Sequence, residues 1–207
     1  MTKSDNRAYV AVLGDAIASR ALPPARRTAL QQTLKRALQA VNRRWARHLA
    51  ARFGIALGDQ FEGLLTGTAG LWAIVHFLRA ELDTDFVIAC GRGPISTPLA
   101  PTAVEVDGPC FHDARAALDT AKRERLVFAF AGFGDEIGGF AGYYSALYWS
   151  WTARQREVAA LLRLSPAAEV AERLGVDRSA VSHVVRRLAW DHVARGDGAF
   201  RTFLEAT

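Results

Sequence analysis

Two aspartates stand where this chain could hold a cation or a ligand. Asp15 closes the apolar run "YVAVLGD" (9–15), and Asp59 sits in the Gly-Asp step of "GIALGDQFEGLL" (54–65). A Gly-Asp step between two short apolar runs is a hairpin signal. If the hairpin lies beside the first strand, the two carboxylates converge from neighbouring strand ends into a hard oxygen site suited to magnesium. The plainer reading keeps Asp59 as a polar residue that turns the hairpin, and both readings stay open at this point. "LGDAIASR" (13–20) adds backbone N–H groups and Arg20, which can meet a phosphate.

The elements that must position these residues follow from periodicity. Pro23-Pro24 opens a helix whose Leu30, Leu34, Leu38, Val41, Trp45 and Leu49 recur at three- and four-residue steps, with Arg36, Arg43 and Arg47 opposite. "FGIAL" (53–57) and "FEGLL" (61–65) are short strands, and "AGLWAIVHFLRAEL" (69–82) is a second amphipathic helix. "FVIACGRG" (86–93) reads as a strand leaving through glycines, "HDARAALDTAK" (112–122) as a helix and "LVFAFAG" (126–132) as a buried strand. "EIGGFAGYYSALYWSW" (136–151) is an aromatic helix. The order β-α-β-β-α-β, then helix, strand and helix, predicts an α+β fold. Its first domain, residues 1–150, is a ferredoxin-like or palm domain with an antiparallel sheet and helices on one face. The glycine-rich loops "GRGPIST" (91–97) and "DGPC" (107–110) fall near the same edge, so Arg92 and Arg115 are offered to a phosphate as well.

Composition narrows the classes. Of 207 residues, 50% are hydrophobic and 23% charged, the balance of an ordinary globular chain. No apolar run reaches the roughly 18–20 residues of a membrane span, and the opening residues are too little apolar for a secretory leader. Cys90 and Cys110 have no metal-ligand spacing, so reduced thiols in a cytoplasmic protein are expected. The net charge of +5 is unevenly placed. Between Ala16 and Gly58 there is no acid, while Arg20, Arg26, Arg27, Lys35, Arg36, Arg43, Arg44, Arg47 and Arg52 all fall there. That field fits a polyanionic partner or a solvated helix face. The histidines show no metal spacing, and His76, inside an apolar helix, reads as a packed core residue. "GFGDEIGG" (132–139) lacks the Lys-Ser/Thr of a P-loop and reads as a strand-to-helix connection.

After residue 150 the pattern changes. Thr152 with Gln155 forms a capping-box signature, and the chain beyond it reads as a series of short helices. In "AAEVAERLGVDRSAVSHVVRRL" (167–188) the small Ala171 suits a close helix crossing, and Gly175 tolerates the positive φ of a tight turn. Val181, Val184, Val185 and Leu188 give the second helix its buried stripe, and Asp177 is placed to cap it. This spacing predicts a small all-α helix-turn-helix domain over 151–207. The outward face holds Arg178, Ser179, Ser182, His183, Arg186 and Arg187, with no acid from Arg178 to Ala189. Such a face suits the edges and phosphates of double-stranded DNA. One recognition helix covers only a few base pairs, so a homodimer is expected. Phe140, Tyr143, Tyr144, Leu147 and Tyr148 offer a dimer or interdomain surface, or else plain core.

"YVAVLGDAIASR", "FGIALGDQFEGLL", "CGRGPIST" and "DGPCFHDARAAL", in that order, resemble the SatD family of small bacterial proteins with a C-terminal helix-turn-helix, across nearly the whole chain. The same segments more thinly resemble class III nucleotide cyclases and GGDEF-type diguanylate cyclases. That resemblance implies that Asp15 and Asp59 hold magnesium over a triphosphate. It also implies an Asn and, four residues on, an Arg on the helix after the last loop. Here the nearest residues are His112 and Arg115, which depart in identity and spacing. The expectation is therefore a DNA-binding transcriptional regulator. Its cyclase-like domain would bind a nucleotide or other phosphate-bearing ligand through Asp15, Arg20, Asp59, Arg92 and Arg115, without clear catalytic machinery. The alternative is a metal-dependent nucleotidyl-transfer enzyme.

Overall fold

The computed structural model describes residues 7–82 and 84–207, with the side chain of Arg20 outside the description. The chain runs β1 (Tyr9–Ala16), α1 (Pro24–Arg44), β2 (Leu49–Leu57), β3 (Gln60–Leu65), α2 (Leu71–Glu81), β4 (Phe86–Gly93), α3 (Pro109–Glu124), β5 (Phe128–Ala131) and α4 (Asp135–Ser150). Four further helices complete it: α5 (Ala153–Leu162), α6 (Ala167–Leu174), α7 (Arg178–Arg187) and α8 (Trp190–Ala206). The strands form one sheet in the order β2-β3-β1-β4-β5. β1 pairs antiparallel with β3 and β4, and β2 antiparallel with β3, which is the ferredoxin-like order. β5 extends the sheet in parallel beside β4.

Both faces of this sheet are buried. Along β1, Val10 and Val12 point to one face with Phe61, Leu65, Phe86 and Ile88, beneath α1, α2 and α4. Tyr9, Ala11 and Leu13 point to the other, against Cys110, Phe111, Ala114 and Leu118 of α3. The expectation of helices on one face is thus corrected: α3 covers the second face. The chain between β4 and α3 makes the crossing. Ala103 and Val106 on that segment pack with Ala51 and Leu64, and Arg52 bridges to Thr102. α3 then seats directly on β4, where a Cβ on Gly91 would lie 2.0 Å from the Cys110 carbonyl oxygen and 2.6 Å from the Ala114 nitrogen. An amphipathic pattern states that a helix buries one stripe. It does not state against which face.

The first helix is also shorter than its apolar stripe. Leu30, Leu34, Leu38 and Val41 are buried, but α1 ends at Arg44 and Leu49 already begins β2. Asn42 helps to start that strand: its amide accepts the Phe53 N–H at 2.8 Å and donates to the Phe53 carbonyl at 2.9 Å. The aromatic helix α4 faces inward through Tyr144 and Tyr148, while Tyr143 is 70% exposed. Phe140 stacks on Phe200 of α8 at 3.6 Å, so the last helix returns to the first core. Trp151, Ala159, Leu188, Phe200 and Leu204 all join that core, which therefore continues past residue 150. A smaller cluster of Val158, Leu161, Val170, Ala171 and Val181 joins α5, α6 and α7. The Thr152–Gln155 capping box opens α5. Cys90 and Cys110 are free and buried, and burial pushes the Cys110 thiol up to about 11. No helix of the described residues is long and apolar enough to cross a membrane.

His76 lies in this core edge-on to Trp72, ring centroids 4.3 Å apart, and neither ring nitrogen has a partner. Burial, reinforced by Arg163 and Arg79, holds its pKa well below the ordinary histidine value, so the folded ring is neutral. The unfolded chain takes up a proton there below about pH 6.5 and the folded chain does not. Stability from this residue is therefore lost as pH falls, by up to about 1.4 kcal/mol per pH unit. Asp197, raised by burial, works in the opposite sense but is common to both proteins in a comparison. Urea unfolding at pH 7.5 and 5.5 should show a smaller acid loss for His76→Leu than for the wild type. Equal losses would contradict a neutral buried His76.

Candidate functional site

β1, the β2–β3 hairpin and the start of β4 run out at the same end of the sheet, and a cavity of about 760 Å³ lies there. Asp15 and Asp59 both line it. Asp15 shares the α3 face with Ala11 and Leu13, so its carboxylate accepts from the ammonium of Lys122 on the last turn of α3. Asp59 is delivered by a turn in which Gly58 has φ +63°, a conformation that favours glycine. Its Oδ2 is buried and has no hydrogen-bond partner among the described residues. Asp85, Lys122, Arg125 and Trp149 complete the polar and aromatic walls.

The backbone around this cavity is held in uncommon conformations. Among the described residues three non-glycines have positive φ, and two of them, Ala18 (57°) and Arg125 (58°), line the cavity. Each costs on the order of 1 kcal/mol; at Arg125 the left-handed residue is the C-cap that ends α3, with the Leu126 N–H bonded to the Ala121 carbonyl at 2.9 Å. The Arg125 carbonyl is fixed by the Trp149 indole N–H at 2.7 Å.

Other residues expected at the site lie elsewhere. Arg92 pairs in register with Val10, whereas Asp15 pairs with Val87. Five residues of strand separate those positions along β1, about 17 Å at 3.3 Å per residue, so Arg92 lies towards the opposite end of the sheet. Arg115 donates to Glu62, a buried carboxylate of β3 opposite Leu13. His112 reaches Asp107 at 2.9 Å on the surface. The Arg20 side chain lies outside the described residues. The cations that do line the cavity are Lys122 and Arg125, which sequence reasoning missed because basic residues in a last helical turn are ordinary dipole partners. Glu62 had a signal, an acid inside an apolar strand.

The two aspartates do not form a magnesium site as their side chains stand. Lys122 already supplies the cation for Asp15, and only Asp59 offers a buried oxygen without a donor. Among the described residues no group of three or more histidine, cysteine or carboxylate side chains is placed to hold a metal. Magnesium commonly takes one or two carboxylates and completes its shell with water and ligand phosphates, so a site here would need Asp15 released from Lys122.

At the other end of the chain, α6 stops at Gly175, φ +62°, and the Val176 N–H bonds back to the Ala171 carbonyl at 3.0 Å. Val181 and Leu188 are buried, and Val184 and Val185 half-buried. Arg178, Ser179, Ser182, His183, Arg186 and Arg187 are all exposed. Asp177 occupies the N-cap position of α7, but its side chain makes no capping bond. Ser182 Oγ donates to the Arg178 carbonyl at 2.9 Å, and Arg187 Nε donates to His183 at 3.3 Å. Arg26, Arg27, Lys35, Arg36, Arg43, Arg44 and Arg47 are also exposed, on and just beyond α1.

The sequence model of the SatD family matches residues 9–125, more than half of the chain. The chain belongs to the SatD family. The matched region of this SatD-family chain runs from β1 to the end of α3, and the helices from α4 onward lie outside it, whereas the resemblance of the sequence segments implied a match over nearly all of the chain. No curated protein matches the chain by sequence. Among solved structures, a bacterial light-regulated adenylyl cyclase is similar at a TM-score of 0.42 and 10% identity, over 59% of this chain and 74% of its own. The catalytic core of a rhodopsin-guanylyl cyclase with converted specificity, in complex with ATPαS, is similar at 0.40 and 14% identity, over 58% and 76%.

A buried carboxylate oxygen without a donor costs stability, and a residue kept for a ligand commonly does so. Asp59→Asn should leave urea stability unchanged or raise it by up to about 1 kcal/mol. A loss greater than that would make Asp59 a residue the hairpin itself requires.

Proposed function

We propose that this chain is a transcriptional regulator that binds double-stranded DNA through α7, while the cavity at Asp15 and Asp59 receives a nucleotide. The observation that carries the reading is the division of α7 into two faces. One face is buried against α5 and α6 through Val181, and the other exposes Arg178, Ser179, Ser182, His183, Arg186 and Arg187 with no acid among them. A helical hairpin that only packs has no need of that outer face. Arginine can read guanine bidentately, and serine and histidine can reach bases or phosphates. A homodimer would place two such helices on neighbouring half-sites.

For the cavity, a nucleotide matches both signs of charge present. Lys122 and Arg125 would meet its phosphates, and Asp59 and Asp85 would accept from ribose hydroxyls or a base amine. Magnesium, which takes one or two carboxylates together with ligand phosphates, would require Asp15 to leave Lys122. Binding is favoured over turnover because His112 and Arg115, nearest to the cyclase asparagine and arginine, are engaged with Asp107 and Glu62.

Fluorescence anisotropy of the full chain on duplex DNA tests the reading. Affinity should fall steeply with salt, log K dropping by about 0.9 per phosphate contact for each unit of log salt. Arg186→Ala should weaken binding to a preferred sequence by about 1–3 kcal/mol if it reads a base. A smaller, sequence-independent loss would make it a phosphate contact, and a flat salt dependence would contradict DNA binding altogether.

A further inference from the structure

A second cavity, of about 580 Å³, opens where α2 and α4 meet α5 and α6. Its lining charges are unlike those of the first. Arg79, Arg154, Arg156, Arg163 and Arg173 contribute five guanidinium groups, against the carboxylates of Glu81, Asp85 and Glu157. Four of the five are matched. Arg154 pairs with Glu157 at 2.8 Å, Arg156 with Asp85 at 3.2 Å, Arg163 with Asp197 at 2.7 Å and Arg173 with Glu81 at 3.2 Å. Arg79 is not.

Arg79 is only 9% exposed and has no carboxylate partner among the described residues. One of its terminal nitrogens donates to the carbonyls of Phe86 at 2.8 Å and Val127 at 2.7 Å. Its charge lies over the rings of Phe128 and Tyr148, 4.4 and 5.0 Å from their centroids. Its Nε and Nη1 remain buried without acceptors, as do Nε of Arg156, Nη2 of Arg163 and the hydroxyl of Tyr144. All of these residues line the one cavity. A buried charge without a counter-charge is expensive, and several unpartnered donors on residues lining one cavity favour an oxyanion there. The depth of the cavity is graded. Arg154, Arg173 and Glu81 form its more exposed part, while Arg79, Tyr144 and Tyr148 are buried.

We propose that this junction cavity binds a small organic anion, bearing a phosphate or carboxylate group, whose charge is met by Arg79 with Arg156 and Arg163. Its volume suits a small molecule rather than a bare ion, and the tyrosines offer the organic part an apolar wall. The lining comes from α2 and α4 on one side and α5 and α6 on the other. An anion here therefore ties the helices that carry α7 to the sheet. The site stands whether or not α7 contacts DNA. It meets the Asp15 cavity at Asp85, which lines both.

The test uses the full chain and the probes sodium phosphate, sodium succinate and sodium chloride at matched ionic strength. Melting temperature is followed for the wild type, Arg79→Gln and Lys122→Gln. A rise of a few degrees with phosphate, with succinate or with both, absent with chloride, is expected for the wild type and Lys122→Gln and should vanish in Arg79→Gln. A response to phosphate alone assigns a phosphate-bearing ligand, and to succinate alone a carboxylate. A rise that survives Arg79→Gln but vanishes in Lys122→Gln would move the anion to the other cavity and overturn the proposal, as would no rise at all. If Arg79→Gln does not fold, wild-type crystals soaked in tungstate decide. An anomalous peak beside Arg79 supports the site, and a peak only elsewhere, or none, overturns it.

Discussion

The buried guanidinium of Arg79 ties the last two strands to the aromatic helix α4. Its guanidinium takes the carbonyls of Phe86, where β4 starts, and Val127, where β5 is about to start. Its plane lies against Phe128 of β5 and Tyr148 of α4. Tyr148 in turn donates to Asp85, which pairs with Arg156 of α5, and Arg156 donates to the Trp151 carbonyl at 2.7 Å. One cation thus connects the last two strands, the aromatic helix and the start of the C-terminal helices. A buried charge costs several kcal/mol unless partners offset it. The two carbonyls and two rings offset part of that cost, and the rest constrains what can fill the space beside it.

The sheet sets where the two cavities can be. Covering both faces leaves only its ends and the seams between helices for ligands. The strand-end cavity gathers Asp15, Asp59 and Lys122 because β1, the hairpin and the last turn of α3 terminate together. The seam cavity gathers arginines because α2 and α5 pack across it. Three carboxylates and two cations line the first, and five cations and three carboxylates the second. The two environments are of opposite charge balance and share Asp85.

Much of the architecture is legible from periodicity. β1, β4, α2 and α4 appear close to where their apolar runs place them, and the four-strand order follows from β-α-β-β-α-β. Where sequence reasoning fails, long-range packing decides. The stripe of α1 continues through Trp45 and Leu49, yet the Asn42 contacts with Phe53 mark a strand, not another helical turn. The face taken by α3 depends on a crossing segment with no pattern of its own. Asp15 and Asp59 can be found because a strand end and a Gly-Asp turn are local signals, but Arg92 and Arg115 have only proximity along the chain to recommend them. Arg79 looks like a basic residue in the last turn of α2, a position where such residues are commonplace. Only the return of α4 and α5 over it makes it buried and unpaired.

The division of α7 into a packed and an exposed face is the feature on which the functional account rests, and selection from a random pool tests it most directly. Full-length protein would be incubated with duplexes of random sequence, bound duplexes recovered and amplified, and the enriched sequences read. The account predicts an enriched inverted repeat with half-sites about 10 base pairs apart, centre to centre, or a multiple of that spacing. Arg186→Ala should lose the enrichment at defined positions. A pool that emerges without sequence preference, or wild-type and Arg186→Ala proteins that enrich the same sequences equally, would contradict it.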